Sequence, residues 1–152
     1  MKRMFTRRLT ERELRTHIDK VKYMPTLFQE FVRKDAELRI IDSEDEIHLS
    51  SRRPDGSVRP AITMWTVQVD GDVVVRSARQ VNPWFTRALE SGTGRIRIGT
   101  LEENVTFELF EGDAVAIDAA YHEKYDRYGA RTVGTVVGPD SHARTLRLTP
   151  TN

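Results

Sequence analysis

Two guanidiniums and one hydroxyl lie close together in Arg76-Ser77-Ala78-Arg79. Such donors suit a phosphate, because arginine offers a planar fork of N–H groups and serine adds one more. Asn82-Pro83-Trp84 follows at once and reads as a helix start. Oriented backbone N–H groups and the positive end of a helix dipole would then stand beside the same spot. Arg76 ends an apolar strand, and a strand period of two puts Ser77 and Arg79 on one face and Arg76 on the other. The three meet only if the chain bends after Ser77. Solvated arginines at a strand end would have the same composition. A second stretch, Pro60-Ala61-Ile62-Thr63-Met64-Trp65, could lay its backbone along the edge of a flat ring, with Trp65 and Trp84 flanking it. The plainer account makes both tryptophans core.

Other chemistries find little support. The chain has no cysteine, which excludes disulfides, thiolate metal sites and a thiol nucleophile. Its histidines, His17, His48, His122 and His142, are scattered without the spacing that would place two ligands on one face. No serine sits in a nucleophile elbow. Gly92-Thr93-Gly94 lacks the last glycine and the strand-to-helix setting of a dinucleotide fingerprint. Hydrolase and nucleotidase chemistry are therefore not expected.

The elements that would position these residues follow from periodicity. Thr10-Glu11-Arg12-Glu13 forms a capping box ahead of Leu14, Ile18 and Val21 at helical spacing, and Pro25 ends that helix near Tyr23 or Met24. Leu27, Phe28, Phe31 and Val32 indicate a second short helix. Residues 1–41 thus read as a helical N-terminal extension and residues 42–152 as the main domain, joined by the acidic, solvated stretch Asp42 to Glu46. From Glu46 the period falls to two. Strands are expected from Ile47, over Ile62–Val69 and over Val73–Ser77, with turns at Arg53-Pro54-Asp55-Gly56 and Asp70-Gly71-Asp72. A helix opened by Asn82 should bury Phe85, Ala88 and Leu89 and close at Gly92. Strands are expected over 94–99 and 105–110. A helix capped by Asp113 then carries Ile117, Tyr121, Tyr125 and Tyr128, with Lys124 and Arg127 turned off that stripe to solvent or a second subunit. Arg131–Val137 and His142–Leu148 read as final strands. Few long parallel crossovers in such an order imply an α+β fold, an antiparallel split β-barrel with flanking helices.

Composition sets the outer limits. At 152 residues one domain is expected, and 38% hydrophobic with 31% charged residues is an ordinary globular mixture. No apolar run approaches a membrane span, and the basic N-terminus has no apolar core of a secretory signal, so the cytoplasm is the expected compartment. Net charge is +1, yet residues 1–15 hold six basic against two acidic residues. Such an end could touch nucleic acid with a steep salt dependence. No aromatic repeats among these charges to stack bases, so nucleic acid is not the expected partner.

The segments His48-Leu49-Ser50-Ser51-Arg52-Arg53-Pro54-Asp55-Gly56, Ile62-Thr63-Met64-Trp65, Val75-Arg76-Ser77 and Trp84-Phe85 carry a further signal. So do Gly94-Arg95-Ile96-Arg97, Asp118-Ala119-Ala120-Tyr121, Arg127-Tyr128-Gly129 and Thr145-Leu146-Arg147-Leu148. In this order and spacing, over roughly residues 45–149, the chain resembles an uncharacterised domain family of the flavin-binding split-barrel superfamily. That superfamily also holds pyridoxamine-phosphate-oxidase-like and deazaflavin-dependent nitroreductase-like proteins. The resemblance implies a six-stranded split barrel, a homodimer, and a cofactor at the subunit interface. It implies that Arg76 and Ser77 hold a cofactor phosphate and that the strand from Thr63 to Trp65 lies beside the ring. From the residue types, Arg79 would join the phosphate grip and Trp84 would wall the pocket. The functional expectation is an oxidoreductase using FMN or deazaflavin on a small-molecule substrate. The alternative is a cofactor-free binding module for an anionic ligand or a protein partner.

Overall fold

A computed structural model describes residues 26–151. The capping box at Thr10, the helix through Val21 and the basic residues 1–15 lie outside the described residues. The chain divides into two compact units, Met1–Arg39 and Ile40–Asn152. In the first, the helix α1, Thr26–Ser43, begins where the second short helix was expected and continues across the unit boundary. An Asp35–Arg39 ion pair at one-turn spacing lies along it. The expected acidic linker is therefore short: Asp42 and Ser43 are still helical and Glu46 already opens the first strand.

The second unit is built on one seven-stranded antiparallel sheet. Its strands are β1 (Glu46–Ser51), β2 (Ile62–Trp65), β3 (Val67–Val69), β4 (Asp72–Arg76), β5 (Thr93–Ile98), β6 (Leu101–Leu109) and β7 (Thr145–Pro150). Their order is β2-β1-β5-β6-β7-β4-β3. The two ends of this sheet, β2 and β3, are consecutive in the chain. The single strand expected over Ile62–Val69 is broken at Thr66, pairing with β1 before the break and with β4 after it. That change of partner brings the sheet round into a nearly closed barrel and explains seven strands where six were expected. Both edges meet at one residue, so the barrel is split between β2 and β4.

Turn chemistry fixes the neighbouring pieces. Asp70 and Gly71 both take positive φ, 52° and 88°, which is the primed hairpin turn that matches strand twist. In Arg53–Gly56 the N–H of Gly56 returns to the carbonyl of Arg53. The helix α2, Pro83–Ser91, has Asn82 at its N-cap, proline in its first turn, and Gly92 in the left-handed region returning its N–H to Ala88. Ala88 is buried, but Leu89 is exposed, contrary to the expected stripe.

The helix α3, Ala114–Tyr125, buries Ile117, Tyr121 and Tyr125 against Val67 and Val74. Two expectations for it fail. Asp113 makes no side-chain cap, having a left-handed backbone, and Tyr128 is exposed in the short 3-10 turn after the helix. Arg131–Val137 is not a strand. It forms the short helix α4, Ala130–Val133, and a turn, burying Val133 and Val136 at a spacing of three against the α3 cluster. His142 likewise ends a short helix, α5 (Pro139–His142), and β7 starts only at Thr145. Among the described residues no helix is long and apolar enough to cross a membrane.

Candidate functional site

The split between β2 and β4 opens into a cleft of about 550 Å³. This lies within the range of roughly 300–1,000 Å³ usual for small-molecule sites. One wall is β2, from Ile62 to Trp65. The opposite side is the end of β4 and the bend after it, at Arg76, Ala78 and Arg79. Asn82, Pro83, Trp84 and Arg87 close it from α2, and Thr132, Thr135 and Val136 from the segment around α4. Among the described residues no aspartate, glutamate, histidine or lysine lines it, whereas three arginines do. The cleft therefore attracts anions and offers no acid–base pair of its own. Among the described residues no group of histidines and carboxylates could hold a metal ion. The backbone of β2 is laddered to β1 on one edge only, so its other edge has no strand partner among the described residues.

Arg76 is the most constrained of the predicted residues. Strand β4 lies between β3 and β7 and is buried on both faces, and alternation puts Arg76 on the face of Val74, under α3. Its side chain is wholly buried, so the charge must be paired. It is paired with Asp118 of α3. Nη1 also donates to the Val136 carbonyl at 2.8 Å, Nε to the Thr145 hydroxyl at 2.8 Å, and Nη2 to the Ala114 carbonyl at 3.4 Å. Four of the five guanidinium donors are thus committed within the protein. Asp118 also accepts the Gly138 N–H at 3.2 Å and lies 3.0 Å from His142 Nε2. Burial pushes its carboxyl up, but the bonds from His142, Arg76 and Gly138 outweigh this and hold it below the usual carboxylate range.

The chain does bend after Ser77, as convergence required, and Ser77 itself makes the bend. Its buried hydroxyl donates to the Arg79 carbonyl at 2.7 Å and faces the Arg79 N–H at 3.4 Å, while its backbone pairs with Arg144. The bend brings Arg79 to the cleft beside Arg76, but Ser77 does not line it. Thr63, Trp65 and Trp84 all border the cleft, each already in contact with a neighbour. The Thr63 hydroxyl is 2.9 Å from His48 Nδ1, its cross-strand partner. Trp65 stacks on Tyr125, with centroids 4.2 Å apart and planes 8° from parallel. Trp84 meets Phe85 edge-on at 5.8 Å.

The break at Thr66 leaves its backbone outside either ladder, and α3 supplies the missing partners. Tyr125 Oη accepts the Thr66 N–H at 3.0 Å, and Lys124 Nζ donates to the Thr66 carbonyl at 2.8 Å and to the Ile41 carbonyl at 2.7 Å. Lys124 is therefore turned inward, not to solvent, because its donors satisfy two carbonyls that the strand break and the end of α1 leave over. Burial pulls its amine down to about 8. Arg127 pairs instead with Asp45.

Two cleft residues escaped the sequence reading as ligand groups. Asn82 was seen only as a cap. It is 9% exposed, lines the cleft, and makes no side-chain cap bond. Arg87 was read only as part of a helix. It follows Pro83 by four positions, the spacing that puts two residues on one face of a helix, and that spacing was the available signal. Neither Arg79 nor Arg87 has an ion pair among the described residues.

Residues 37–148 match a family described as "Uncharacterized protein conserved in bacteria (DUF2255)". No curated protein matches. Several solved structures share the fold at low identity. A conserved hypothetical protein of Mycobacterium tuberculosis is 13% identical, with 78% of this chain and 80% of that one covered and a TM-score of 0.57. A "Putative Pyridoxamine 5'-phosphate oxidase" of Listeria innocua is 16% identical, covering 79% and 94%, with a TM-score of 0.56. The heme storage protein HutZ of Vibrio cholerae is 12% identical, covering 78% and 89%, with a TM-score of 0.53. The likeness is one of architecture, a split barrel.

Proposed function

We propose that this chain, which belongs to the uncharacterised bacterial family DUF2255, holds an anion-bearing flat ring of the FMN or deazaflavin type in the cleft and works as an oxidoreductase on a small molecule. The observation that carries the reading is the cleft itself, which among the described residues has an unpaired strand edge and two tryptophans on its walls, three arginines and no carboxylate. The free edge of β2 would hydrogen-bond the rim of the ring, with Thr63 and Trp65 beside it and Trp84 as a wall. Arg79, and the one uncommitted donor of Arg76, would face the phosphate, while Ser77 holds the bend that presents Arg79. Bound flavin supplies hydride or electron transfer; the chain supplies grip, orientation and shelter from water. That division suits a cleft without an acid–base pair. One structural relative is named as a putative pyridoxamine 5'-phosphate oxidase and another as a heme storage protein. Heme fits this cleft poorly, since among the described residues no histidine or tyrosine lines it to serve as axial ligand. A second copy of the chain would complete the open side as a homodimer.

Purified protein should carry a flavin or deazaflavin absorbance band, or bind one on addition. Ligand at about 100-fold over its dissociation constant should add roughly 2.7 kcal/mol to stability. Colourless protein with an unmoved thermal midpoint in excess FMN and deazaflavin would reject the reading. The committed donors of Arg76 favour a second possibility, a cofactor-free module for an anionic ligand or protein partner. Arg79→Ala separates the two: it weakens flavin retention in the first case and spares an uncharged partner in the second.

A further inference from the structure

We infer that the anion site of this cleft is built at the start of α2, from Arg79, Asn82, Arg87 and the Trp84 backbone N–H, and that it takes a phosphate monoester or free phosphate. The inference deepens the proposed use of the same cleft but moves the anion away from the pair Arg76 and Ser77. Those two residues are largely occupied within the protein, Arg76 through four donors and Ser77 through the bend it closes. The groups at α2 are not. In the first turn Pro83 has no N–H, while Phe85 and Thr86 both return theirs to the Asn82 carbonyl. The Trp84 N–H is left as the donor without an acceptor among the described residues. Asn82 is the second, independent sign. The residue is more than nine-tenths buried on the cleft wall, yet its side chain neither caps the helix nor finds another hydrogen-bond partner among the described residues.

An amide at the cleft wall with no acceptor within the protein is free to donate to an outside one. Arg79 and Arg87 bring the charge. Arg79 stands three residues before the N-cap and Arg87 one turn inside the helix, both border the cleft, and among the described residues no carboxylate there competes for them. The positive end of the helix adds to the same field. Two free guanidiniums with two neutral N–H donors match the charge and acceptor count of a phosphate better than those of a single carboxylate.

The test is the thermal midpoint in inorganic phosphate against chloride at matched ionic strength, which removes general screening. Three variants accompany the wild type: Asn82→Asp, Arg87→Ala and Arg79→Ala. Aspartate is a favoured N-cap, so Asn82→Asp keeps the helix and turns the pocket against an anion. The wild type should be raised by phosphate, the rise should vanish in Asn82→Asp, and it should shrink in both arginine variants. No rise in the wild type, or an equal rise in Asn82→Asp, overturns the inference. FMN and riboflavin distinguish the source of the phosphate. A response to FMN but not riboflavin, lost in Asn82→Asp, makes the phosphate that of the flavin. A phosphate response with neither flavin active retains this site and removes the flavin reading; FMN binding unchanged in Asn82→Asp does the reverse.

Discussion

At the residue scale, the two arginines three positions apart, Arg76 and Arg79, have opposite work. Arg76→Ala deletes a buried cation and leaves Asp118 facing His142 and the Gly138 N–H without its main charge. Breaking such a pair costs on the order of 3 kcal/mol. Urea unfolding should therefore show a large fall in midpoint for Arg76→Ala. Arg79→Ala removes an exposed group with no ion pair among the described residues and should stay within about 0.5 kcal/mol of wild type. Equal losses in the two would mean that Arg76 is not the clamp described. The sequence made this cluster visible, since guanidiniums beside a helix start are a local pattern. It could not separate the two roles, because the group that claims Arg76 lies 42 residues away on α3. Asn82 shows the converse: its N-cap position was plain, but that its amide would leave the cap bond unmade depends on a side-chain orientation no spacing encodes.

At the scale of elements, period and turn chemistry predicted well where neighbours in the chain decide the outcome, as in β1, the Asp70-Gly71 hairpin and α2 with its Gly92 stop. The failures lie where tertiary contact decides. Thr132-Val133 and Thr135-Val136-Val137 have strand-like composition, but the cluster under α3 needs Val133 and Val136 on one side, and that spacing is helical. The break at Thr66 was hidden for a similar reason: Lys124 and Tyr125, far along the chain, satisfy the backbone that the break exposes. Gly94 is a further case where contact rules. It pairs with Ser51 across β1 and β5, and a Cβ there would come within 2.1 Å of the Ser50 carbonyl oxygen and 2.6 Å of the Phe107 ring. The oxygen is backbone and cannot turn aside. Gly94→Ala should cost about 3 kcal/mol or more by overpacking. Urea denaturation of the variant tests this, and a cost below roughly 1 kcal/mol would mean that β1 and β5 can part at that point without loss.

At the scale of the whole molecule, Asp118 joins parts that no single element holds together. From α3 it reaches Arg76 at the end of β4, the Gly138 N–H and His142 of α5. Arg76 in turn binds Thr145 at the start of β7 and the Val136 carbonyl on the cleft wall. The carboxylate thus stabilises the side of the barrel that carries the cleft, and its protonation should be felt there first. Because its folded pKa lies below the unfolded value of about 3.9, the folded chain binds fewer protons than the unfolded one through this window. The stabilisation it gives is complete above the unfolded pKa and is lost as pH falls through the folded one. Urea midpoints measured from pH 6 downward should therefore fall more steeply below about pH 4 in the wild type than in Asp118→Asn, which has no such proton to take up. The variant starts lower, with Arg76 no longer facing an anion, and the two curves should converge at the acid end. Parallel curves across that range would show that acid unfolding is set by other carboxylates and that Asp118 is not the point where protonation loosens the fold.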